Sequence, residues 1–116
     1  MNLVNANEDI LIHIDARFDW YNWKNVVILN SKKADGEWGE QVETDQFPFP
    51  CCGLIIPIAI RVEMAKSAFV ITANGMDVAA YRYREDLGPP VYKVVYRFEG
   101  NSATVKAQLK AVTVLY

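Results

Sequence analysis

The sequence predicts an all-β protein, built as an antiparallel sandwich or barrel, and three observations support this prediction. Short segments of apolar or alternating residues recur about every ten residues, with Gly, Pro, Asn or Asp between them. No segment has the apolar periodicity of a convincing helix. Asn74-Gly75 stands between two of the segments, and this dipeptide best tolerates the positive φ angles of a tight hairpin turn.

The predicted strands are bounded by turn-forming residues and contain β-branched or aromatic side chains. In chain order they cover residues 9–16, 25–30, 37–43, 54–62, 68–73, 77–83, 91–98 and 103–115. The segment 65–68 is predicted as a turn because it is too short for a stable helix. A chain of 116 residues can bury its own core, so a single domain spanning residues 1–116 is predicted.

Composition excludes several classes of partner. The net charge is −2 and the pI about 5.3, with Lys and Arg scattered along the chain, so neither nucleic acid nor an anionic membrane is a predicted partner. The longest apolar run, 51–60, is interrupted by Gly and Pro and is too short for a transmembrane segment. The first residues lack the features of a signal peptide, so synthesis in the cytoplasm is expected. The adjacent Cys51 and Cys52 are expected to be free thiols.

The stretch "ILIHIDARF", which starts at Ile10, has two different faces when it is taken as a strand. Alternation places Ile10, Ile12, Ile14, Ala16 and Phe18 on a core face, and Leu11, His13, Asp15 and Arg17 on the opposite face. The second face therefore holds the only histidine of the chain beside a carboxylate and a guanidinium. Further polar or aromatic candidates follow on the next two predicted strands: Asn30, Trp38, Glu40, Gln41 and Glu43.

These side chains are better suited to binding a sugar than to catalysing a reaction. Sequential antiparallel strands are usually neighbours in one sheet, so the candidates are expected to share one floor. Arg17 and Asn30 offer directed hydrogen bonds, a neutral His13 offers a donor or an acceptor, and an exposed Trp38 offers an apolar ring face. The predicted ligand is therefore a saccharide. No catalytic residue, metal site or cofactor is predicted, because no nucleophile elbow, phosphate loop or metal-ligand spacing occurs.

Six motifs carry a resemblance to a known family. In order they are "HIDAR", "VVILNS", "DGEWGEQVE", "FPFPCCG", "FVITANG" and "YRYRED", and together they resemble the galectins, the β-galactoside-binding lectins. The family pattern is His-x-Asn-Pro-Arg, Val-x-Asn, Trp-Gly-x-Glu-x-Arg, Phe-Pro-Phe and a strand leading into Asn-Gly. The resemblance implies a jelly-roll, concanavalin-like sandwich and a non-enzymatic lectin. Such a lectin binds β-galactosides or related glycans of glycoproteins or glycolipids on one concave sheet face.

The resemblance also implies roles for individual residues. His13 and Arg17 would contact the axial hydroxyl of a galactose-like ring, and Asn30 would reach its primary hydroxyl. Trp38 would stack beneath the ring. Strict alternation separates Trp38 from Gln41, so the family arrangement requires a bulge or twist near Gly39.

Four positions depart from the family pattern: Asp15 stands at an Asn, Ala16 at a Pro, Gln41 at the Glu and Glu43 at the last Arg. Gln41 forms no charge-assisted bond with a sugar, and Glu43 is able to compete with a ligand for Arg17. These departures predict weaker binding of lactose-type sugars, by about 1–3 kcal/mol, or a changed glycan preference.

The family also has two strands ahead of the one that "NLV" represents, so the N-terminus resembles a shortened one. Unpaired sheet edges would follow, and a homo-oligomer that covers them is expected. The resemblance further implies export to the extracellular space by an unconventional route.

Two alternative functions stay open at this point. Gln41 and Glu43 favour a galectin fold that has lost sugar binding and serves as a structural or protein-interaction module. A glycoside hydrolase would instead use Asp15 and Glu43 as its pair of carboxylates. Charged residues elsewhere are predicted to lie on solvated faces: Arg61, Glu63, Lys66, Arg82 and Arg84.

Overall fold

A computed structural model of the chain describes residues 1–20, 23–45 and 58–97. Within these ranges the chain forms eight strands and no helix. The strands are β1 (Asn2–Val4), β2 (Ile10–Trp20), β3 (Trp23–Lys32), β4 (Val42–Thr44), β5 (Ile60–Met64), β6 (Ala68–Ala73), β7 (Met76–Arg82) and β8 (Lys93–Val95). No helix that could cross a membrane is found among the described residues.

The strands form two antiparallel sheets. One has five strands in the order β4-β3-β2-β1-β8, and the other has three in the order β5-β6-β7. Side chains from both sheets meet in one core, so the predicted antiparallel sandwich is confirmed. The buried members of this core are Leu3, Leu11, Ile12, Ile14, Val27, Leu29, Phe69, Ile71, Ala73, Val78, Tyr81 and Leu87.

The hairpin of β6 and β7 matches its prediction. Its turn residues Asn74 and Gly75 have φ angles of 49° and 80°, the two positive values that a type I′ turn requires. The turn is also tied to the residue that precedes β5, because the Asn74 side chain accepts a hydrogen bond from the Ala59 amide.

A β-bulge in β2 changes which side chains face the core. Between the paired residues Ile10 and His13, β2 advances three residues while its partner β3 advances two. The extra residue resets the alternation, so Leu11 and Ile12 are both fully buried. The prediction that Leu11 shares the polar face is therefore wrong. Ile10, predicted on the core face, is only half-buried and lies outside the core cluster.

The predicted strand 37–43 is regular only at its end. Trp38 makes a single bridge with β3, and the ladder begins at Val42. Between these two pairs the segment advances four residues while β3 advances three. The irregularity required near Gly39 is therefore present, and it frees Trp38 from the alternation of β4.

Strand β1 has a partner on each side, since it pairs with β2 and with β8. Within the described residues, the edges of the five-stranded sheet are therefore β4 and β8. Three predictions lie outside the described residues: the strand 103–115, the thiols of Cys51 and Cys52, and the first four residues, 54–57, of the predicted strand 54–62.

A buried polar network joins the two sheets. Ser31 on β3 donates a hydrogen bond from Oγ to the Leu11 carbonyl at 2.8 Å. Its Oγ lies 2.6 Å from the Tyr81 hydroxyl of β7, which therefore donates to it. Burial raises the pKa of Tyr81. Because Leu11 belongs to the bulge, this network fixes the bulge against the opposite sheet.

Replacing Ser31 with alanine should lower the free energy of unfolding by about 1–3 kcal/mol, because it leaves the Leu11 carbonyl and the Tyr81 hydroxyl buried without their partner. Urea denaturation followed by tryptophan fluorescence measures this change. Ser67→Ala, at an exposed turn, is the matched control and should leave the free energy within about 0.5 kcal/mol. Equal stability of the two variants would contradict a structural role for the network.

Candidate functional site

The strand register brings the predicted residues of β2 and β3 onto one face. His13 lies opposite Asn30, and Asp15 lies opposite Ile28. Arg17 is two residues further along β2 and shares this orientation. This face of the five-stranded sheet, called the site face below, is turned away from the core. The register thus brings together the β2 and β3 candidates as the sequence predicted.

His13 is held by two neighbours. Its Nδ1 lies 2.6 Å from Asn2 Oδ1, and its ring centroid lies 5.0 Å from that of Trp38 at an interplanar angle of 54°. Because an amide oxygen only accepts, Nδ1 carries the proton and Nε2 of the neutral ring is an acceptor. Burial lowers the pKa of His13, assisted by the positive amino terminus and Arg17 and opposed by Asp15. The imidazole is therefore neutral near pH 7.

Trp38 is 47% exposed, as its predicted stacking role requires. The loop ahead of it folds back on β3, because the amide of Gly39 donates to the Ser31 carbonyl at 3.0 Å. Asp9 anchors the same loop by accepting a hydrogen bond from the Ala34 amide at 2.9 Å. That bond is the main cause that lowers the pKa of Asp9, with a second contribution from Asn5. The indole is thus an exposed ring on a tethered loop.

Asp15 and Arg17 form an ion pair on the site face, with Arg17 Nε 2.9 Å from Asp15 Oδ2. Both side chains are partly exposed, at 34% and 25%. The carboxylate occupies one edge of the guanidinium and holds it along β2. A ligand that approaches this part of the face meets an arginine that is already oriented.

Asn30 is buried, with 7% of its surface exposed, and its amide is tightly bonded. Its Oδ1 accepts hydrogen bonds from the Ser31 amide at 2.8 Å and from Arg84 Nη1 at 2.7 Å. Its Nδ2 donates to the Gly39 carbonyl at 2.9 Å. With both lone pairs of the oxygen in use, the group that Asn30 has to offer a ligand is its second amide hydrogen.

Gln41 and Glu43 lie at the exposed margin of the site face. Gln41 Nε2 donates a hydrogen bond to Glu43 Oε1 at 2.9 Å. Glu43 is on β4 and lies opposite Ile28 of β3. Ile28 is itself opposite Asp15, so two carboxylates flank one apolar residue in a row across the sheet. This margin is acidic, where the family pattern has an arginine.

Sequence reasoning missed two residues of the site. Asn2 positions the His13 ring, and only the β1–β2 register reveals it. Arg84 was predicted on a solvated face, and this is wrong: the residue is half-buried and bonded to Asn30 and Glu40. It follows the end of β7 in a turn closed at Leu87, so strand alternation does not apply to it. The other four charges are exposed as predicted.

Hydrolysis and metal binding find no support in this geometry. A glycosidase needs a protonated carboxylic acid in an apolar pocket. Asp15 is ion-paired with Arg17, and Glu43 is exposed. Among the described residues, no three His, Cys, Asp or Glu side chains are grouped so as to hold a metal ion.

Comparison with known proteins gives the family. The family profile described as galactoside-binding lectin matches residues 1–101. The chain belongs to the galactoside-binding lectin family. The resemblance to galectins that the sequence motifs predicted is therefore confirmed, and with it a family of lectins rather than of enzymes.

Several known lectins are similar to this chain in sequence. The chain is 34% identical over 86 residues to a 32 kDa beta-galactoside-binding lectin from Haemonchus contortus, a match that covers 74% of this chain and 28% of that protein. It is 30% identical over 106 residues to galactose-binding lectin l-1 from Anguilla japonica, covering 91% and 69%. A third relative, Galectin-1 from Rhinella arenarum, is 43% identical over 49 residues, covering 40% and 36%. The chain therefore spans less than two thirds of the nematode and Rhinella lectins.

Solved galectin structures share the fold. A tetrameric galectin from the ball sponge Cinachyrella sp. superposes with a TM-score of 0.72 at 51% identity, over 78% of this chain and 62% of that one. A toad ovary galectin in complex with thio-digalactose gives a TM-score of 0.59 at 27% identity, over 72% and 60%. These neighbours confirm the predicted jelly-roll sandwich.

The titration of His13 tests the electrostatics of the site, and a single histidine makes its NMR signal unambiguous. Its pKa should lie below the ordinary value of 6.5. Asp15→Asn should lower the pKa further, because the carboxylate favours the charged ring. In the wild-type protein, His13 binds a proton more readily in the unfolded chain than in the folded one. The free energy of unfolding should therefore fall as the pH drops below 6.5.

Asp35→Asn, which removes an exposed carboxylate in the loop before Trp38, is the control and should leave the titration unchanged. A His13 pKa above 6.5, or an upward shift in Asp15→Asn, would contradict the described surroundings of the ring.

Proposed function

We propose that this chain is a lectin that binds β-galactosides, or a related glycan of glycoproteins or glycolipids, on the site face. The observation that carries the proposal is the pairing of His13 with an exposed Trp38, whose ring centroids are 5.0 Å apart beside the polar row of β2 and β3. An apolar ring next to directed hydrogen-bonding groups complements a sugar, which has a C–H face and a rim of hydroxyls.

Each residue has a distinct task in this proposal. Trp38 stacks on the C–H face of the ring. His13 accepts a hydroxyl hydrogen at Nε2, which is possible because Asn2 fixes the other nitrogen as the donor. Arg17 donates to a hydroxyl from the orientation set by Asp15, and Asn30 donates its second amide hydrogen.

The acidic margin shapes which glycan is bound. Gln41 and Glu43 satisfy each other, and this bond competes with a ligand for both groups. A neutral glutamine also makes weaker bonds than the carboxylate of the family pattern. We therefore propose that lactose itself binds more weakly than to a typical member of the family, and that another galactose-containing or related oligosaccharide is preferred.

Trp38→Ala should weaken lactose binding at least tenfold, because it removes the stacking surface, a change of about 1.4 kcal/mol. Isothermal titration calorimetry with lactose measures the affinity, and a glycan array finds the preferred sugar. Tyr92→Ala is the control, since Tyr92 is 72% exposed and precedes β8, outside β2 and β3, which carry the polar row.

Three results would separate the candidate functions. Binding that is lost in Trp38→Ala and kept in Tyr92→Ala supports the lectin. A wild-type protein that binds no glycan on the array would instead support the structural or protein-interaction module. Release of free sugar from the array would point to a hydrolase and would contradict both.

We also propose that the protein forms a homo-oligomer through the outer edge of β8. The sponge galectin that is 51% identical is described as tetrameric. In the described part of this chain β8 is an edge strand, and Val95 and Tyr96 on and beside it are 39% and 40% exposed. An edge strand with apolar side chains favours pairing with another chain.

Sedimentation velocity over a range of micromolar concentrations tests the assembly. The wild-type protein should sediment as a dimer or larger species, and Val95→Lys should shift it towards monomer, because a charge at an edge opposes strand pairing. Met76→Lys, at an exposed residue of the other sheet, should not. A wild-type monomer throughout the range would contradict the proposal.

A further inference from the structure

We infer that Arg84 is a positioning residue of the glycan site, which holds Asn30 and the backbone next to Trp38 from the side of the opposite sheet. The inference rests on the proposed lectin function, because the site that Arg84 positions is the proposed sugar site. The roles that the resemblance implies for individual residues include none for Arg84, which lies in the motif "YRYRED" and follows β7 of the three-stranded sheet.

The guanidinium bridges two parts of the site. Nη1 donates to Asn30 Oδ1 at 2.7 Å, and Nη2 donates to the Glu40 carbonyl. Asn30 belongs to β3, whereas Glu40 belongs to the irregular segment that carries Trp38. One side chain therefore fixes the amide of the polar row relative to the loop of the stacking ring.

The Arg84 guanidinium also packs against the ring of Tyr81. The guanidinium carbon lies 5.1 Å from the ring centroid of Tyr81, a cation–π distance. Tyr81 donates in turn to Ser31, the residue after Asn30, so the aromatic ring and the arginine support adjacent positions of β3. The arginine thus rests on a buried platform rather than projecting into solvent.

Gly39 makes room for the bridge. A Cβ atom at this position would overlap with Arg84 Nη1 and would lie 3.3 Å from Asn30 Oδ1. No side chain fits there without displacing the guanidinium. The glycine of the Trp-Gly motif therefore has a specific reason in this chain, which is the close passage of Arg84 beneath the backbone.

For ligand binding, the consequence is that the orientation of the Asn30 side-chain amide is fixed. Arg84 and the Ser31 amide together occupy the Asn30 oxygen, so the amide cannot turn over to present an acceptor. Asn30 then acts on a ligand as a donor only. A lysine would not reproduce this arrangement, because its single ammonium lacks the planar fork that reaches two acceptors at once.

The experiment compares Arg84→Met and Arg84→Lys with Arg82→Met, an exposed arginine at the end of β7. Lactose affinity is measured by calorimetry, with the binding stoichiometry reporting the folded fraction. Arg84→Met should weaken binding about tenfold, Arg84→Lys should restore only part of this loss, and Arg82→Met should bind within twofold of the wild type.

A second readout needs no ligand. The side-chain amide signals of Asn30, assigned by their absence in Asn30→Asp, are followed in ¹⁵N-labelled protein. They should move in both Arg84 variants and stay in place in Arg82→Met. Gly39→Ala displaces the guanidinium while keeping the arginine and should reproduce the loss of affinity. Its amide signals are not used, because the added Cβ would also lie 3.3 Å from Asn30 Oδ1.

The outcomes separate this inference from the proposed function. A wild-type protein that binds lactose, together with an Arg84→Met variant that binds within twofold, overturns the positioning role. A wild-type protein that binds no sugar refutes the proposed function. In that case the Asn30 amide signals alone test whether Arg84 positions Asn30. Unchanged signals in Arg84→Met and Arg84→Lys overturn the inference, and shifted signals in both support it. If Arg84→Met does not fold, Arg84→Lys and Gly39→Ala give the same decision.

Discussion

The pairing of β2 with β3 positions both the core and the site face. Its register sets His13 opposite Asn30 and, through a bulge, turns both Leu11 and Ile12 into the core. Without the extra residue, alternation would carry an apolar side chain into the polar row or a polar one into the core. A single local irregularity thus lets one strand serve a packed interior and a hydrogen-bonding surface.

The site is not confined to the sheet that displays it. Tyr81 and Arg84 reach across from the three-stranded sheet and its following turn to Ser31 and Asn30, two adjacent residues of β3. Buried polar groups of this kind cost free energy unless each finds its partner. No buried side-chain polar atom of the described residues is left unpaired. The same contacts that satisfy the interior therefore orient the groups that face a ligand.

Charge distribution distinguishes this site from the pattern of its family. Asp15 pairs with Arg17, and Glu43 pairs with Gln41, so the polar groups at two points of the face are engaged with each other. Each such pair costs a ligand part of the binding free energy, because the ligand must compete with a bond already formed. The site face thus differs from the family pattern in its balance of donors, acceptors and charge.

Alternation and turn chemistry act between near neighbours, so the residues alone predicted an antiparallel sandwich or barrel and the Asn74-Gly75 hairpin. The usual adjacency of sequential strands added the prediction that His13 and Asn30 share one face. The motif order likewise determined the family. The core position of Leu11 and the contact of Arg84 with Asn30, in contrast, became visible in the folded structure alone. Both depend on which strand or sheet lies opposite, and such long-range pairings leave no local signal in the chain.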